Sequence, residues 1–249
     1  MRDAAEKILT LVVPVYNESS LIGRSFDAIA VFLSGFEPGT AEVIFVNDGS
    51  PDNSGELLAR CLDGRDPQTF RLINYERNRG KGYAVRQGVA AAIGRYVLMS
   101  DADLSTPLGE WEKLRAAVEA GAEFACGSRA VAGARVGKPP PLHRRMLSKL
   151  FNMLVRLAGV QGIRDTQCGF KLFRREAGQR VFAAMRVDRF AFDVEMISLA
   201  RQMGYRVVEV PVNWDYSGHS TVRVFSSGSR MLWDLCGIAL RRLLGTPRS

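Results

Sequence analysis

Short apolar runs alternate with amphipathic stretches along the first half of the chain. The apolar runs predict strands at 9–16, 42–47, 70–75, 96–100 and 123–127. Between the strands, apolar residues recur at helical spacing, which predicts helices at 20–33, 54–62, 81–93 and 108–120. This alternation is typical of an α/β fold in which a mostly parallel central sheet is flanked by helices.

The pattern changes after residue 130. Glycines, charged residues and three consecutive prolines predict a mobile loop at 131–141. Residues 142–158 have an apolar side and a basic side, which suits either a helix on an anionic membrane surface or a helix packed on the protein's own core. Further along, the pattern predicts a short strand at 172–173, a helix at 193–203, a strand at 206–214 and a helix at 229–244.

Length and charge narrow the possible organisation and partners. The 249 residues divide into a predicted main domain at 1–225, which includes the helix at 142–158, and an amphipathic helical tail at 226–249. The formal net charge of +8 favours an anionic partner, such as a phosphorylated substrate or a membrane surface. No nucleic-acid recognition motif or basic cluster with interleaved aromatic residues is present, so nucleic acid is not an expected partner.

The cysteines and the amino terminus bear on the cellular compartment. The four cysteines are scattered without a Cys-x-x-Cys pair, and only two histidines are present, which argues against a zinc site and favours a reduced, cytoplasmic chain. The first seven residues carry two acids and no apolar core, unlike a signal peptide. No segment reaches the ~20 apolar residues of a membrane span, so membrane contact is expected to be peripheral.

Polar residues follow three of the predicted strands. In an open parallel sheet the carboxyl ends of the strands share one edge, where ligands bind. The carboxylates among these residues are ligands that Mg²⁺ or Mn²⁺ prefers, and such ions usually bridge protein oxygens to a phosphate. The sequence therefore predicts one site for a nucleotide diphosphate and a divalent metal. Its residues are Asn17, Glu18, Asp48, Ser50, Asp101 and Asp103.

Each of these motifs also has an ordinary explanation. Asp-x-Asp is common in solvated loops, Asn17 suits a turn or a helix cap, and Asp48 begins a plausible strand-to-helix turn. The functional interpretation is favoured because the three loops occur together. Lys81 and Arg86 begin a predicted helix and suit an anion, although an exposed helix face explains Arg86 equally well.

The motifs resemble those of a known enzyme family. Segments 13–18, 46–50 and 101–103 resemble, in this order, inverting family 2 glycosyltransferases of the GT-A fold, which is Rossmann-like. Segments 80–86 and 165–173 resemble those of dolichyl-phosphate (polyprenyl-phosphate) β-glucosyltransferases, and Phe190 to Glu195 fits them as well. The resemblance covers residues 8 to 225.

The resemblance implies roles for particular residues. Asp101 and Asp103 are expected to hold the metal. Asp101, Asp103, Asp165 and Arg129 are the expected catalytic residues. The UDP-sugar is expected to contact Pro14, Tyr16, Asn17, Glu18, Asp48, Ser50, Lys81, Asp101 and Arg223.

The acceptor phosphate is expected to bind Arg129, Arg144 and Ser148. Asp165 is expected to position the acceptor or to act as a base, and a base is dispensable because a phosphate monoester has its second pKa near ~6. Asp193 and Glu195 suit catalysis or capping of the helix that begins there.

The reaction implied is transfer of glucose from UDP-glucose to a polyprenyl phosphate, with inversion. The acceptor chain stays open between dolichyl and undecaprenyl, because the eukaryotic members begin with a membrane anchor that this sequence lacks. Alternatives are GDP-mannose or another UDP-sugar as donor, and a soluble glycan or protein as acceptor. A lipid acceptor predicts an enzyme at the cytoplasmic face of the membrane, reached through the surface helices.

Overall fold

The computed structural model describes residues 6–137, 153, 155, 162–216 and 224–243. Arg144, Ser148, Arg223 and nearly all of the predicted helix at 142–158 lie outside these residues. The strands are β1 (Leu9–Val15), β2 (Ala41–Asp48), β3 (Phe70–Tyr75), β4 (Tyr96–Met99), β5 (Phe124–Ser128), β6 (Arg135–Val136), β7 (Lys171–Arg174), β8 (Val207–Pro211) and β9 (Asn213–Trp214). The helices are α1 (Ile22–Leu33), α2 (Ser54–Leu62), α3 (Lys81–Ala91), α4 (Trp111–Glu119), α5 (Arg175–Ala184), α6 (Phe192–Gln202) and α7 (Val224–Leu243).

Seven strands form the central sheet, in the order β3-β2-β1-β4-β7-β5-β8. Every neighbouring pair is parallel except the two that involve β7, which runs antiparallel to β4 and β5. The predicted α/β fold with a mostly parallel sheet is therefore confirmed. Lys171 at the start of β7 lies opposite both Met99 and Cys126.

The central strands β1 and β4 are buried at nearly every position because they are continuously apolar, whereas the edge strands β3 and β8 are mostly part-buried. Alternate residues point to opposite sides, so Val12 belongs to one core with α3, α5 and α6, whereas Leu11 belongs to another core with α1 and α4. The polar residues Asn47 and Asp48 end β2 and are nonetheless buried. The two cores fix the strands, and the strand ends then carry the candidate site.

The structure differs from the predicted pattern in its details after residue 130. The predicted loop at 131–141 contains β6, which pairs in parallel with β9, and the predicted strand at 206–214 is divided between the main sheet and this small sheet. Helix α5 was not predicted. Its Gly178 weakens the helical pattern, yet the position needs glycine because a Cβ there would lie 2.3 Å from the Phe173 ring.

Candidate active site

The loops after β1 and β2 are tied together at the carboxyl edge of the sheet. The backbone N–H of Asn17 donates to Ser50 Oγ at 3.0 Å, and that of Glu18 donates to Ser54 Oγ at 3.0 Å. Asn17 has a φ of 59°, a left-handed conformation that asparagine tolerates well. The turn that was one explanation of Asn17 is thus present; Tyr16 before it is exposed, whereas Pro14 is part-buried.

Asp48 holds the turn that precedes α3. Its carboxylate accepts hydrogen bonds from the backbone N–H of Arg79 at 2.8 Å and of Gly80 at 2.7 Å, and from Asn78 Nδ2 at 2.9 Å. Burial raises the pKa of Asp48, and the two backbone donors oppose that rise. This structural role was not visible in the sequence; the contact of Asp48 with a nucleotide stays a prediction.

Lys81, the first residue of α3, reaches across to the end of β4. Its Nζ lies 2.5 Å from Asp101 Oδ1 and 5.9 Å from the centre of the Phe192 ring. Burial disfavours the charged form of each residue, but their mutual attraction is stronger. The pKa of Asp101 is therefore held below its ordinary value, and the pKa of Lys81 is raised. The two residues therefore form an ion pair at neutral pH, in which Lys81 balances one of the acids predicted to hold a metal.

Asp103 lies in a tight turn directly after Asp101. Asp103 Oδ1 accepts the Ser105 N–H at 3.0 Å and Oδ2 accepts the Ser105 hydroxyl at 2.8 Å. Leu104, between Asp103 and Ser105, has a φ of 49°, which is unfavourable for a branched side chain. The contacts of the turn therefore hold Leu104 in a backbone conformation that it would not adopt by itself.

Asp101 and Asp103 suit a hard cation because both offer carboxylate oxygens as ligands. No group of three or more His, Cys, Asp or Glu side chains is arranged to hold a metal within the described part of the chain. The two carboxylates therefore suit Mg²⁺ or Mn²⁺ bound together with phosphate oxygens, as is usual for Mg²⁺ at nucleotide sites.

Glu18 adds a further acid to this edge. Burial, together with the nearby carboxylates of Asp103, Asp101 and Asp52, raises the pKa of Glu18 from 4.5 to about 7. Because the folded protein retains a proton that the unfolded chain has lost, stability falls as the pH rises through this interval. The ionised form of Glu18 is thus destabilised in the fold, and a bound cation or a hydrogen-bond donor of a ligand would stabilise it.

The Glu18→Gln variant tests this charge. We expect its melting temperature to exceed that of the natural protein by about 2–4 °C at pH 8.5, since half-burial leaves the carboxyl partly screened. The gain should shrink at pH 5, where the natural side chain is protonated in the fold. Calorimetry at both pH values measures the difference, with the exposed Glu56→Gln on α2 as control. An equal gain at both pH values would show that charge is not the cause.

Arg129 and Asp165 form a forked ion pair at the end of β5. Arg129 Nε donates to Asp165 Oδ2 at 2.7 Å, Nη2 donates to Oδ1 at 2.8 Å, and the Arg129 backbone N–H donates to Oδ2 at 3.0 Å. Burial favours the neutral acid, but these bonds hold the pKa of Asp165 below its ordinary value. A carboxylate so paired is a poor proton acceptor, which favours a positioning role over that of a base.

Two residues that the sequence analysis missed support this pair. Glu209 on β8 accepts the backbone N–H groups of Arg164 at 2.8 Å and Asp165 at 2.9 Å. The Trp214 ring of β9 lies beneath the guanidinium, with Arg129 Cζ 5.1 Å from the ring centre. The guanidinium is therefore fixed in plane by a carboxylate and from one side by an aromatic ring.

A small open pocket lies beside the Asp-x-Asp segment at the carboxyl edge of the sheet. Its lining includes both acids of the Asp-x-Asp segment, the hydroxyls of Ser105 and Thr106, and the Trp214 ring. The ring that stacks on Arg129 therefore also faces the acidic pair. A ligand held by the two acids would therefore lie close to the ring that stacks on Arg129.

Three other residues from the sequence analysis have partners within the protein. Arg86 donates to Asp188 Oδ1 at 2.5 Å and to the Met185 carbonyl at 2.9 Å, so its guanidinium is not simply solvated. Asp193 pairs with Lys171, and Glu195 accepts two backbone N–H groups and Arg241. The helix-cap interpretation of the two acids is wrong, because α6 has no side-chain cap hydrogen bond.

Comparison with known proteins places these observations in a family. Residues 10–182 match the family described as Glycosyl transferase family 2. The chain is 39% identical over 246 residues to a dolichyl-phosphate beta-glucosyltransferase of Trichomonas vaginalis, covering 95% of this chain and 72% of that protein. It is 36% identical over 256 residues to the dolichyl-phosphate beta-glucosyltransferase of Homo sapiens, covering 99% and 79%.

Solved structures show the same fold at lower identity. A mannosyltransferase from Pyrobaculum calidifontis, in complex with GDP-Man and Mn²⁺, superposes with a TM-score of 0.64 at 20% identity, over 99% of this chain and 67% of that one. Glucosyl-3-phosphoglycerate synthase from Mycobacterium tuberculosis, in complex with Mn²⁺, UDP and glucosyl-3-phosphoglycerate, gives 0.67 at 18% identity, over 98% and 82%. These similarities confirm the GT-A-like fold.

Proposed function

This chain belongs to glycosyl transferase family 2, and from that premise we propose that it transfers glucose from UDP-glucose to a polyprenyl phosphate. The match confirms the resemblance inferred from the motifs and, with it, glycosyltransferase activity. The observation that carries the proposal is that Asp101, Asp103 and Trp214 line one pocket, and that the Trp214 ring stacks on the Arg129 guanidinium. The phosphate acceptor that the name of these relatives gives suits the Arg129 guanidinium.

The proposed reaction is a direct displacement at the anomeric carbon. An oxygen of the acceptor phosphate attacks C1, the bond from C1 to the UDP oxygen breaks, and UDP leaves with the electron pair. Attack from the face opposite the leaving group inverts the anomeric centre and gives a β-linked polyprenyl-phosphate glucose. The acceptor dianion has no proton to lose, which agrees with an Asp165 carboxylate already committed to Arg129.

Asp101 and Asp103 would hold Mg²⁺ or Mn²⁺, and the ion would supply positive charge for the diphosphate. Lys81, 2.5 Å from Asp101, would supply a second cation at the same place. The loops joined through Asn17 and Ser50 would hold the nucleoside, with the exposed Tyr16 ring against the base. Arg129 would bind the acceptor phosphate. Arg144, Ser148 and Arg223, which lie outside the described residues, stay predicted contacts.

A direct assay tests the donor, the acceptor and the metal together. Purified protein is incubated with Mn²⁺, radiolabelled UDP-glucose and a detergent-solubilised polyprenyl phosphate, and the products are extracted into organic solvent. Labelled lipid that disappears with EDTA supports all three parts of the proposal. Labelled lipid from GDP-mannose but not UDP-glucose would overturn the donor, and labelled water-soluble product alone would overturn the lipid acceptor.

We propose that the protein works at the cytoplasmic face of a membrane, where helix α7 contacts the lipid. Trp233 and Leu240, seven residues apart on α7, are 80% and 58% exposed, whereas Leu235 and Ile238 are buried in the core. Arg242 near the end of the helix is exposed and suits anionic lipid. Among the described residues, no helix combines the length and hydrophobicity needed to cross a bilayer.

Liposome flotation checks the lipid contact. Vesicles that contain anionic lipid should carry the natural protein to the top of a density gradient. Trp233→Ser combined with Leu240→Ser should reduce the floated fraction several-fold, because the outward apolar area of α7 is lost. Val31→Ser on α1 is the matched control, since Val31 is 72% exposed on another surface. Equal flotation of all three proteins would remove α7 from the interface.

A further inference from the structure

A buried lysine lies behind the candidate site. Lys171, at the start of β7, is 1% exposed, and its Nζ donates to Asp193 Oδ1 at 2.6 Å and to the carbonyl of Cys168. Asp193 on α6 is 3% exposed. None of the contacts proposed above for the donor or the acceptor uses either residue.

The carbonyl that Lys171 holds belongs to a turn that contacts both sides of the site. Gly169 packs so closely on Asp101 that a Cβ would lie 2.1 Å from Asp101 Oδ2. The Phe170 carbonyl accepts the backbone N–H of Gly127 at 2.8 Å, two residues before Arg129. The turn at 168–170 is thus wedged between the strand ends that carry the acidic pair and the arginine.

The charge of Lys171 also acts on the site. Burial opposes a charged lysine, but the Asp193 carboxylate outweighs it and raises the pKa of Lys171, so the ammonium form persists at neutral pH. That positive charge contributes to the lowered pKa of both Asp101 and Asp165. Lys81, Asp101, Lys171 and Asp193 therefore form a set of interacting charges of alternating sign.

We propose that Lys171, held by Asp193, is a positioning residue that fixes the turn at 168–170 against Asp101 and so orients the Asp101 carboxylate for the metal and the nucleotide diphosphate. The proposal rests on the proposed function, because it takes Asp101 as a metal ligand. Lys171 touches no substrate; it acts through the Cys168 carbonyl and Gly169.

A contribution to the stability of the fold is a weak explanation for the buried Lys171–Asp193 pair. Removing two charges from water costs about as much as their attraction returns, and replacing a buried pair with apolar groups is often neutral or stabilising. The pair also lies beside the turn at 168–170, which contacts Asp101, so positioning of Asp101 is a second reason for its presence. A double variant separates the two roles, because it removes both charges and leaves no unpaired ion.

The test measures Mn²⁺ binding in the presence of UDP, from the electron paramagnetic resonance signal of free Mn²⁺. Lys171→Met combined with Asp193→Asn is compared with Arg71→Met combined with Glu42→Gln. Glu42 is a fully buried acid that pairs with Arg71 at 3.1 Å near the amino ends of the strands, remote from the site. We expect about tenfold weaker Mn²⁺ binding in the first double variant and unchanged binding in the control.

Circular dichroism establishes that each variant is folded. Lys171→Arg keeps the positive charge, so it should bind Mn²⁺ more tightly than the double variant does. If the double variant is unfolded, Asp193→Asn alone is measured, with a threefold loss as the criterion. A folded variant that binds Mn²⁺ and UDP as tightly as the natural protein would overturn the inference. A natural protein that binds no Mn²⁺ with UDP would overturn the proposed donor site and, with it, this inference.

Discussion

The Asp103→Asn variant is expected to remain folded and to transfer glucose about 10²–10³-fold more slowly than the natural protein. Asparagine keeps the oxygen that accepts the Ser105 N–H, so the turn after β4 should persist. The variant loses one of the two anionic ligands predicted for the divalent cation. In the proposed reaction, Lys81 would then be the main positive charge near the departing UDP.

Asp66→Asn is the matched control for this change. Asp66 Oδ1 accepts the Gln68 N–H at 3.0 Å, and Oδ2 accepts the Thr69 hydroxyl at 2.6 Å, much as Asp103 binds Ser105. It lies before β3, at the amino edge of the sheet. Loss of the same turn contacts there should leave the transfer rate unchanged.

Steady-state rates at increasing Mn²⁺ concentration complete the test. The Asp103→Asn variant should need more metal for half-maximal rate, because its remaining carboxylate binds the ion less tightly. Full activity in this variant, at the same metal requirement, would contradict a metal role for Asp103. A comparable loss in Asp66→Asn would instead assign the effect to the turn.

The sheet and the strand-end residues could be predicted because their signals are local. The run that forms β1 is apolar at nearly every position, and Asp101 lies two residues after the buried run of β4. A parallel sheet then requires these ends to lie at one edge. Only the fold class and the order of the motifs were needed to place Asn17, Asp48 and Asp101 together.

The supporting residues could not be predicted because their partners are distant in sequence. Trp214 stacks on Arg129 only because β9 leaves the main sheet after Val212 and pairs with β6. Lys171 is buried only because α6 brings Asp193 to it. A lysine at a strand start is ordinarily exposed, and no local pattern indicates that this one has a buried carboxylate partner.

The Arg129–Asp165 pair leads to the second large effect. Arg129→Lys should lower kcat/KM for the polyprenyl phosphate about 10²-fold or more, because a lysine keeps the charge but cannot bind a carboxylate and a phosphate through a planar fork. Asp165→Asn should cause a comparable loss, since it removes the anion that aligns the guanidinium. Arg71→Lys, at the ion pair with the buried Glu42, controls for the loss of a paired arginine elsewhere.

The pH dependence of kcat/KM separates the two roles of Asp165. If the acceptor dianion attacks without a base, the acid limb of the profile reports the phosphate, whose second pKa is near ~6. Asp165→Asn should then lower the whole curve and leave that limb in place. Disappearance of the limb in Asp165→Asn would identify Asp165 as the base, in spite of its lowered pKa. An unchanged limb with a reduced rate would show that the carboxylate acts by holding Arg129 in the plane from which it meets the acceptor.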